Sequence, residues 1–285
     1  MSPEEEHRFL DTRSVLLFII FPLIIGITLS MFIRQPSIGI IEIKDPIDSI
    51  LGKVVVEQLQ YVYSHSEYKA VVLLIDSPGG TVNDSELIYL ELNHLRKKIP
   101  VVSMVEGVSA SGAYYISVAT DYIYSNPSAM VGNVGVIGQL PPIPIILEDV
   151  YSTGPYKFWG SARDTYMRQI DMMKRGFLQA VELGRGNRLL LPIEQVSKGE
   201  IFPANVALQL GLIDRLGSQS EAIEKAASLA YITNYQVVSL NKVISDKEGS
   251  AKSFYAVDKN GEFTGYPKEY GFYFLYVPEL KGGPQ

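Results

Sequence analysis

Hydrophobic positions change their period several times along this chain, and each change marks an element. Val15 to Ile33 runs for 19 residues without a charge. A helix of that length would be roughly 28 Å long, close to the roughly 30 Å hydrocarbon core of a bilayer. Arg13 and Arg34 bracket the stretch, and no small-x-small cleavage site follows before Arg34. A retained anchor over 15–33, behind a polar segment over 1–14, is therefore expected rather than a cleaved signal peptide. Pro22 is compatible with a helix in lipid. Basic residues stand on both sides (Arg8 and Arg13 before, Arg34 and Lys44 after), so the charge rule for orientation does not discriminate.

Beyond the anchor, strand and helix periods alternate. Ser37 to Lys44 (SIGIIEIK) alternates like a half-buried strand, and Leu51 to Tyr63 has helical spacing at Leu51, Val54, Val55, Leu59 and Val62. Ala70 to Ile75 (AVVLLI) is a continuous apolar run, as in a strand buried on both faces, and it ends in Asp76-Ser77-Pro78-Gly79-Gly80, a turn. Ser85 to Lys97 is helical, Pro100 to Val105 is again a buried strand, Ser111 to Thr120 a helix and Tyr122 to Tyr124 a short strand. Amphipathic helices are expected over Thr165 to Leu183, Pro203 to Leu210 and Ser220 to Tyr231, the methionines of the first serving as core filling. This rhythm predicts an α/β domain with parallel pairings over 37–232. From 233 to 285 the composition shifts toward Tyr, Phe, Lys and Gly, read as a short hairpin and a frayed end, with docking of Phe272 to Val277 on a neighbouring subunit as the sharper alternative.

Composition narrows the chemistry. The 285 residues carry a net charge of −6 and no basic stripe, which disfavours nucleic acid as a partner. There are no cysteines and only three histidines (His7, His65, His94), so disulfides, thiolate metal sites, a cysteine nucleophile and multi-histidine metal centres are set aside. Hydroxyls, carboxylates, lysines and backbone amides remain, with no cofactor or metal implied. Gly107-Val108-Ser109-Ala110-Ser111-Gly112-Ala113 falls between a predicted strand and a predicted helix, where a serine is held on a sharp turn before a helix N-terminus. A helix cap is the more ordinary account of a serine there. A nucleophilic serine needs a base, and no histidine follows His94. A desolvated lysine can serve instead. Ser66-Glu67-Tyr68-Lys69 and Ser239-Leu240-Asn241-Lys242 have Ser-x-x-Lys spacing by chance in polar surroundings. Lys157, in Gly154-Pro155-Tyr156-Lys157-Phe158-Trp159, has aromatic neighbours that suit either a desolvated amine or a snorkelling surface side chain.

Three ordered motifs carry a resemblance. Asp76-Ser77-Pro78-Gly79-Gly80, then Ser109-Ala110-Ser111-Gly112-Ala113-Tyr114-Tyr115-Ile116-Ser117, then Gly132-Asn133-Val134-Gly135-Val136 together resemble the signal peptide peptidase A (protease IV) family. The likeness covers roughly Ile38 to Ala230, including Gly211-Leu212-Ile213-Asp214-Arg215-Leu216-Gly217. It implies a fold like the Clp peptidases and crotonases, a ββα spiral, attached to a transmembrane helix. It implies Ser111 as nucleophile and Lys157, 46 positions later, as general base. The oxyanion donors would be the amides of Gly80 and Gly112, with Asn133 standing where family members carry a lysine-orienting serine. The implied activity is a Ser-Lys endopeptidase acting on signal peptides or other membrane-protein segments. Implied too are a homo-oligomer, a single pass through the cell membrane and a catalytic domain outside the cytoplasm. Rival readings are a stomatin-associated type of membrane serine protease, a crotonase-type acyl-CoA enzyme, and an inactive scaffold that binds peptides.

Overall fold

The computed structural model describes residues 16–32, 35–139, 153–154, 156–157, 160–244, 256–257, 263–265 and 271–275. The expected anchor is described as two pieces, a π-helical turn Leu16–Ile20 and helix α1 (Phe21–Phe32). Pro22 has no N–H to donate back to the preceding turn, so the hydrogen-bond ladder changes its step there. Among the described residues, no helix is long and apolar enough to cross a membrane. Helix α1 has 12 residues, about 18 Å at 1.5 Å per residue. Val15 and Ile33, the ends of the expected anchor, lie outside the described residues.

The α/β rhythm begins with β1 (Ser37–Lys44) and α2 (Ser49–Ser64). Asp48 caps α2 by accepting from the amides of Ile50 and Leu51 at 3.0 and 2.8 Å. Then follow β2 (Tyr68–Ser77), the short β3 (Gly79–Thr81), α3 (Val82–Leu95) and β4 (Val101–Ala110). Helix α4 is only Gly112–Ser117, shorter than the expected 111–120. The hydroxyls of Ser117 and Thr120 take the carbonyls of Ala113 and Ser117 and turn the chain toward β5 (Tyr122–Ser125). The strands β6 (Met130–Gly132) and β7 (Ile137–Gln139) precede the long α5 (Arg163–Arg185). A 3-10 turn, Gly186–Arg188, joins α5 to α6 (Ile193–Val196) and β8 (Ile201–Pro203). Helix α7 (Ala204–Gln209), strand β9 (Arg215–Leu216) and helix α8 (Gln219–Leu229) complete the expected domain. Ser218 and Glu221 form a complete capping box on α8. The remaining described elements are β10 (Gln236–Ser239), α9 (Asn241–Ile244), the pair β11 (Ala256–Val257) and β12 (Phe263–Gly265), and β13 (Gly271–Leu275).

The main sheet runs β10-β1-β2-β4-β5-β9, all parallel. Strand β6 adds to the far end of β4 in parallel and pairs β8 antiparallel. Apolar side chains are buried on both sheet faces: Ile41, Val71 and Ile75 against α2 and α3, and Ile38, Val72 and Met104 against the alanines of α8. A third cluster, around Tyr115, Phe177 and Val131, fills the space between α4 and α5.

A second sheet of three strands, β3-β13-β7, is antiparallel throughout. The hairpin expected in this region is the pair β11–β12, residues 276–285 lie outside the described residues, and over 271–275 the chain is the middle strand of a sheet. Its Phe274 finds an aromatic partner set inside the domain, which is what holds it there. Strand β10 likewise lies beyond residue 232 yet extends the main sheet beside β1.

Candidate active site

Three loops meet where the parallel strands β2, β4 and β6 end, the usual position for a site in such a sheet. The first is the Ser77–Thr81 turn. Gly79 takes φ +94°, and its amide donates to the Ser77 hydroxyl at 3.2 Å. Ile47, in the loop after β1, fastens the turn from below: its amide donates to Gly79 O at 2.8 Å and its carbonyl accepts from Thr81 N at 2.9 Å. A side chain on Gly79 would stand 2.1 Å from Phe274 O and 2.6 Å from Gly112 N, and one on Gly80 would stand 1.9 Å from Ile47 O. Both glycines are therefore dictated by close backbone approach.

The second loop carries Ser111. Its backbone sits at φ 53°, ψ −118°, a conformation a non-glycine residue rarely adopts. Strand β4 imposes it: Ser111 N donates to Gly132 O at 2.8 Å while Ser111 O accepts from Tyr115 N at 2.9 Å, so the chain must reverse sharply between strand and helix. The serine is buried, and its hydroxyl makes no cap hydrogen bond to α4. The cap account of this residue is thereby removed. Backbone strain of this kind clusters at functional sites. Ser85 Oγ, held on Thr81 O at 2.8 Å, packs where a side chain on Gly112 would otherwise go.

The third loop is Gly132-Asn133, with both residues at positive φ. Asn133 tolerates that conformation and ties itself down twice: its backbone amide donates to Glu200 O and its side-chain nitrogen to Gly199 O, each at 2.7 Å. Lys157 stands in an exposed turn whose amide donates to Gly154 O at 3.2 Å. Its aromatic neighbours Phe158 and Trp159 lie outside the described residues. Of the sequence-derived site, the structure thus brings together Gly80, Ser111, Gly112 and the Asn133 turn, and leaves Lys157 on the surface.

Behind Ser111 the fold is braced. Tyr114, one turn into α4, donates to Leu212 O at 2.8 Å, and burial pushes its hydroxyl pKa far up. The adjoining loop is fixed by Asp214, which receives both terminal nitrogens of Arg185 at 3.0 and 2.8 Å and the Ile123 amide at 2.7 Å. Burial alone would raise the Asp214 carboxyl; the Arg185 guanidinium, the Ile123 amide and Arg188 outweigh it and hold it below the ordinary carboxylate range.

Beside the site lies a mostly apolar cavity of about 390 Å³ between α3 and α5, lined by Val82, Tyr115, Met173, Phe177, Phe272 and Phe274, with Glu86 and Gln169 as its polar members. Tyr115 stacks on Tyr89 (centroids 4.4 Å) and meets Phe177 edge-on at 5.0 Å, and burial raises its pKa as well. Among the described residues, no cluster of histidine, aspartate and glutamate could hold a metal ion.

This arrangement can be set against known proteins. The model of peptidase family S49 matches residues 93–233, and that of the Clp proteases matches residues 30–131. A relative from Synechocystis sp., named as a candidate protease, is 35 % identical over 210 residues, 69 % of this chain and 75 % of the relative. The chain belongs to peptidase family S49. Protease 4 of Salmonella typhi is 30 % identical over 199 residues, and the chloroplastic serine protease SPPA of Arabidopsis thaliana 27 % identical over 209. The chain spans 32 % and 31 % of those two longer relatives. In this S49 chain the parts that local sequence could not place are Gly79, whose left-handed backbone rather than that of Gly80 meets Gly112, and Phe272 and Phe274. The doubled glycine after Pro78 and the Phe-Tyr-Phe-Leu run were the available signals.

Proposed function

We propose that this chain is a serine endopeptidase that uses a Ser111–Lys157 dyad and is tethered to a membrane by the 15–33 segment. The observation that carries the reading is the buried, uncapped Ser111 in a strained turn between two close-packed glycine loops. Lys157 accepts the Ser111 proton as Oγ attacks a peptide carbonyl. The amides of Gly80 and Gly112 receive the oxyanion, each donor worth about 3–4 kcal/mol in other enzymes. As the C–N bond breaks, Lys157 returns the proton to the leaving amine; water, deprotonated by the same lysine, then frees the acyl group from Ser111. For this the exposed turn at 156–157 must fold over Ser111 when substrate binds.

Membrane attachment is supported by the outward-facing Leu17, Phe18, Phe21 and Leu23, which a water-soluble surface would not gather in one place. The substrate class that fits is an extended apolar peptide, such as a signal peptide or a membrane-protein segment, and family likeness favours a homo-oligomer with its catalytic domain outside the cytoplasm.

The test is cleavage of apolar fluorogenic peptides by the full chain in detergent beside Ser111→Ala and Lys157→Ala, with a serine-reactive phosphonate as probe. Cleavage and Ser111 labelling by the parent alone are expected. The exposed position of Lys157 is what an inactive peptide-binding scaffold would show. Absence of both cleavage and labelling in folded protein, in the parent and in Phe274→Asp alike, would establish that reading instead.

A further inference from the structure

Strand β13 lies where a peptide substrate would. An extended peptide can bind as a strand added to an exposed sheet edge. Here the edges of β3 and β7 face a single slot, and β13 fills it from both sides. Tyr273 pairs Thr81 on one side and Ile137 on the other, while Phe274 pairs Gly80. The Phe274 carbonyl oxygen and the Gly112 amide crowd the same point beside Gly79, so a backbone carbonyl of the chain itself stands close to Gly112, one of the two glycines assigned to the oxyanion. Phe272 and Phe274, two apart and so on one face of the strand, both line the apolar cavity. The Phe274 ring lies 4.8 Å from Phe177 and 5.3 Å from Tyr115.

We propose that Gly271–Leu275 is a tethered occupant of the substrate slot, and that the slot's ligand class is an extended peptide with aromatic or large apolar residues at alternate positions. This rests on the peptidase reading above. The strand must leave before another peptide can enter, so the resting chain is self-blocked. A strand carried on the same chain as its slot meets it at an effective concentration of the order of 1 mM. Against a strand that binds as a free peptide at about 10–100 μM, the tether lowers apparent affinity for other peptides by roughly 10–100-fold.

The chain has no cysteines, so one engineered pair gives a clean lock. Gln139 and Gly271 are cross-strand partners, and a side chain on Gly271 would meet nothing closer than 3.5 Å. In the full-length Gln139→Cys/Gly271→Cys protein, oxidation is expected to reduce peptide hydrolysis at least tenfold, and reductant to restore it. In full-length Phe274→Asp, which removes the strand from its apolar seat, hydrolysis is expected to rise by about tenfold or more. A fluorescent peptide of the sequence 268–277 is expected to bind Phe274→Asp and not the oxidised double variant, a readout that needs no catalysis. Equal binding to both proteins, or equal hydrolysis with the disulfide closed and open, overturns the proposal. If Phe274→Asp does not fold, the locked and reduced forms alone decide by the same comparison of rates. Peptide binding as expected without hydrolysis in any form would refute the peptidase reading and leave the self-occupied slot standing.

Discussion

Replacing Ser111 by glycine should make this protein more stable while destroying its activity. Ser111 holds φ 53° with its hydroxyl in no cap bond. A sparsely populated positive-φ backbone costs a residue with a β-carbon about 1–2 kcal/mol, and glycine carries almost none of it. Glycine gives back about 0.5–1 kcal/mol through the greater freedom of its unfolded chain. The balance is a gain of about 0.5–1 kcal/mol, or roughly 2–4 °C in Tm for the upper value in a domain of this size. Ser111→Ala keeps the β-carbon and the strain and loses only an uncapping hydroxyl, so it should stay within about 0.5 kcal/mol of the parent. Urea titration of the three full-length proteins in the same detergent, followed by tryptophan fluorescence and circular dichroism, gives the order. A serine that caps α4 would yield the opposite ranking, with parent highest, glycine a few tenths lower and alanine about 1 kcal/mol lower. That ranking, at unchanged m-value, would refute the strain argument. It would also remove the main physical reason for treating Ser111 as the nucleophile rather than as a piece of helix chemistry.

Gly79→Ala should cost at least about 2 kcal/mol, because its φ of +94° is strained for alanine and the new methyl would meet Phe274 O; faster proteolytic nicking near residues 266–275 should accompany the loss. Arg185→Met leaves the Asp214 carboxylate, 5 % exposed, without its bidentate partner, and should destabilise by about 3–5 kcal/mol, with part of the loss recovered in Arg185→Met/Asp214→Leu. Because the folded Asp214 pKa is lowered from 3.8, its contribution is complete above that value and fades as pH falls through the lowered one. Urea midpoints of the parent should therefore drop steeply below about pH 4, and those of Arg185→Met/Asp214→Leu less so. Ser218→Ala removes the capping box of α8 and should lower stability by about 1 kcal/mol, read as a matching fall in Tm.

What could be read in advance was whatever a short stretch of chain decides by itself. The buried run Ala70 to Ile75 predicts a strand because no other element hides a continuous apolar run on both faces; β2 extends it only to Tyr68 and Ser77. The period of Thr165 to Leu183 predicts α5 to within two residues at each end. The glycine pair and the Ser111-Gly112 turn were visible as motifs, but their physical reason was not. Gly79 is required by Phe274 O and Gly80 by Ile47 O, contacts nearly 200 and 33 residues away in sequence. Local propensity gives Ser111 the character of a helix cap, and only the pull of Gly132 O on its amide turns it into a strained turn. The Phe-Tyr-Phe-Leu run shows the same rule from the other side. By composition it is a short apolar stretch in polar surroundings, and nothing nearby in sequence could cover it. Its partners are Tyr115 and Phe177, on two helices that meet only after the parallel sheet has formed. A site assembled from the ends of separate strands therefore leaves its motifs in the sequence, while what fills it is decided by the fold.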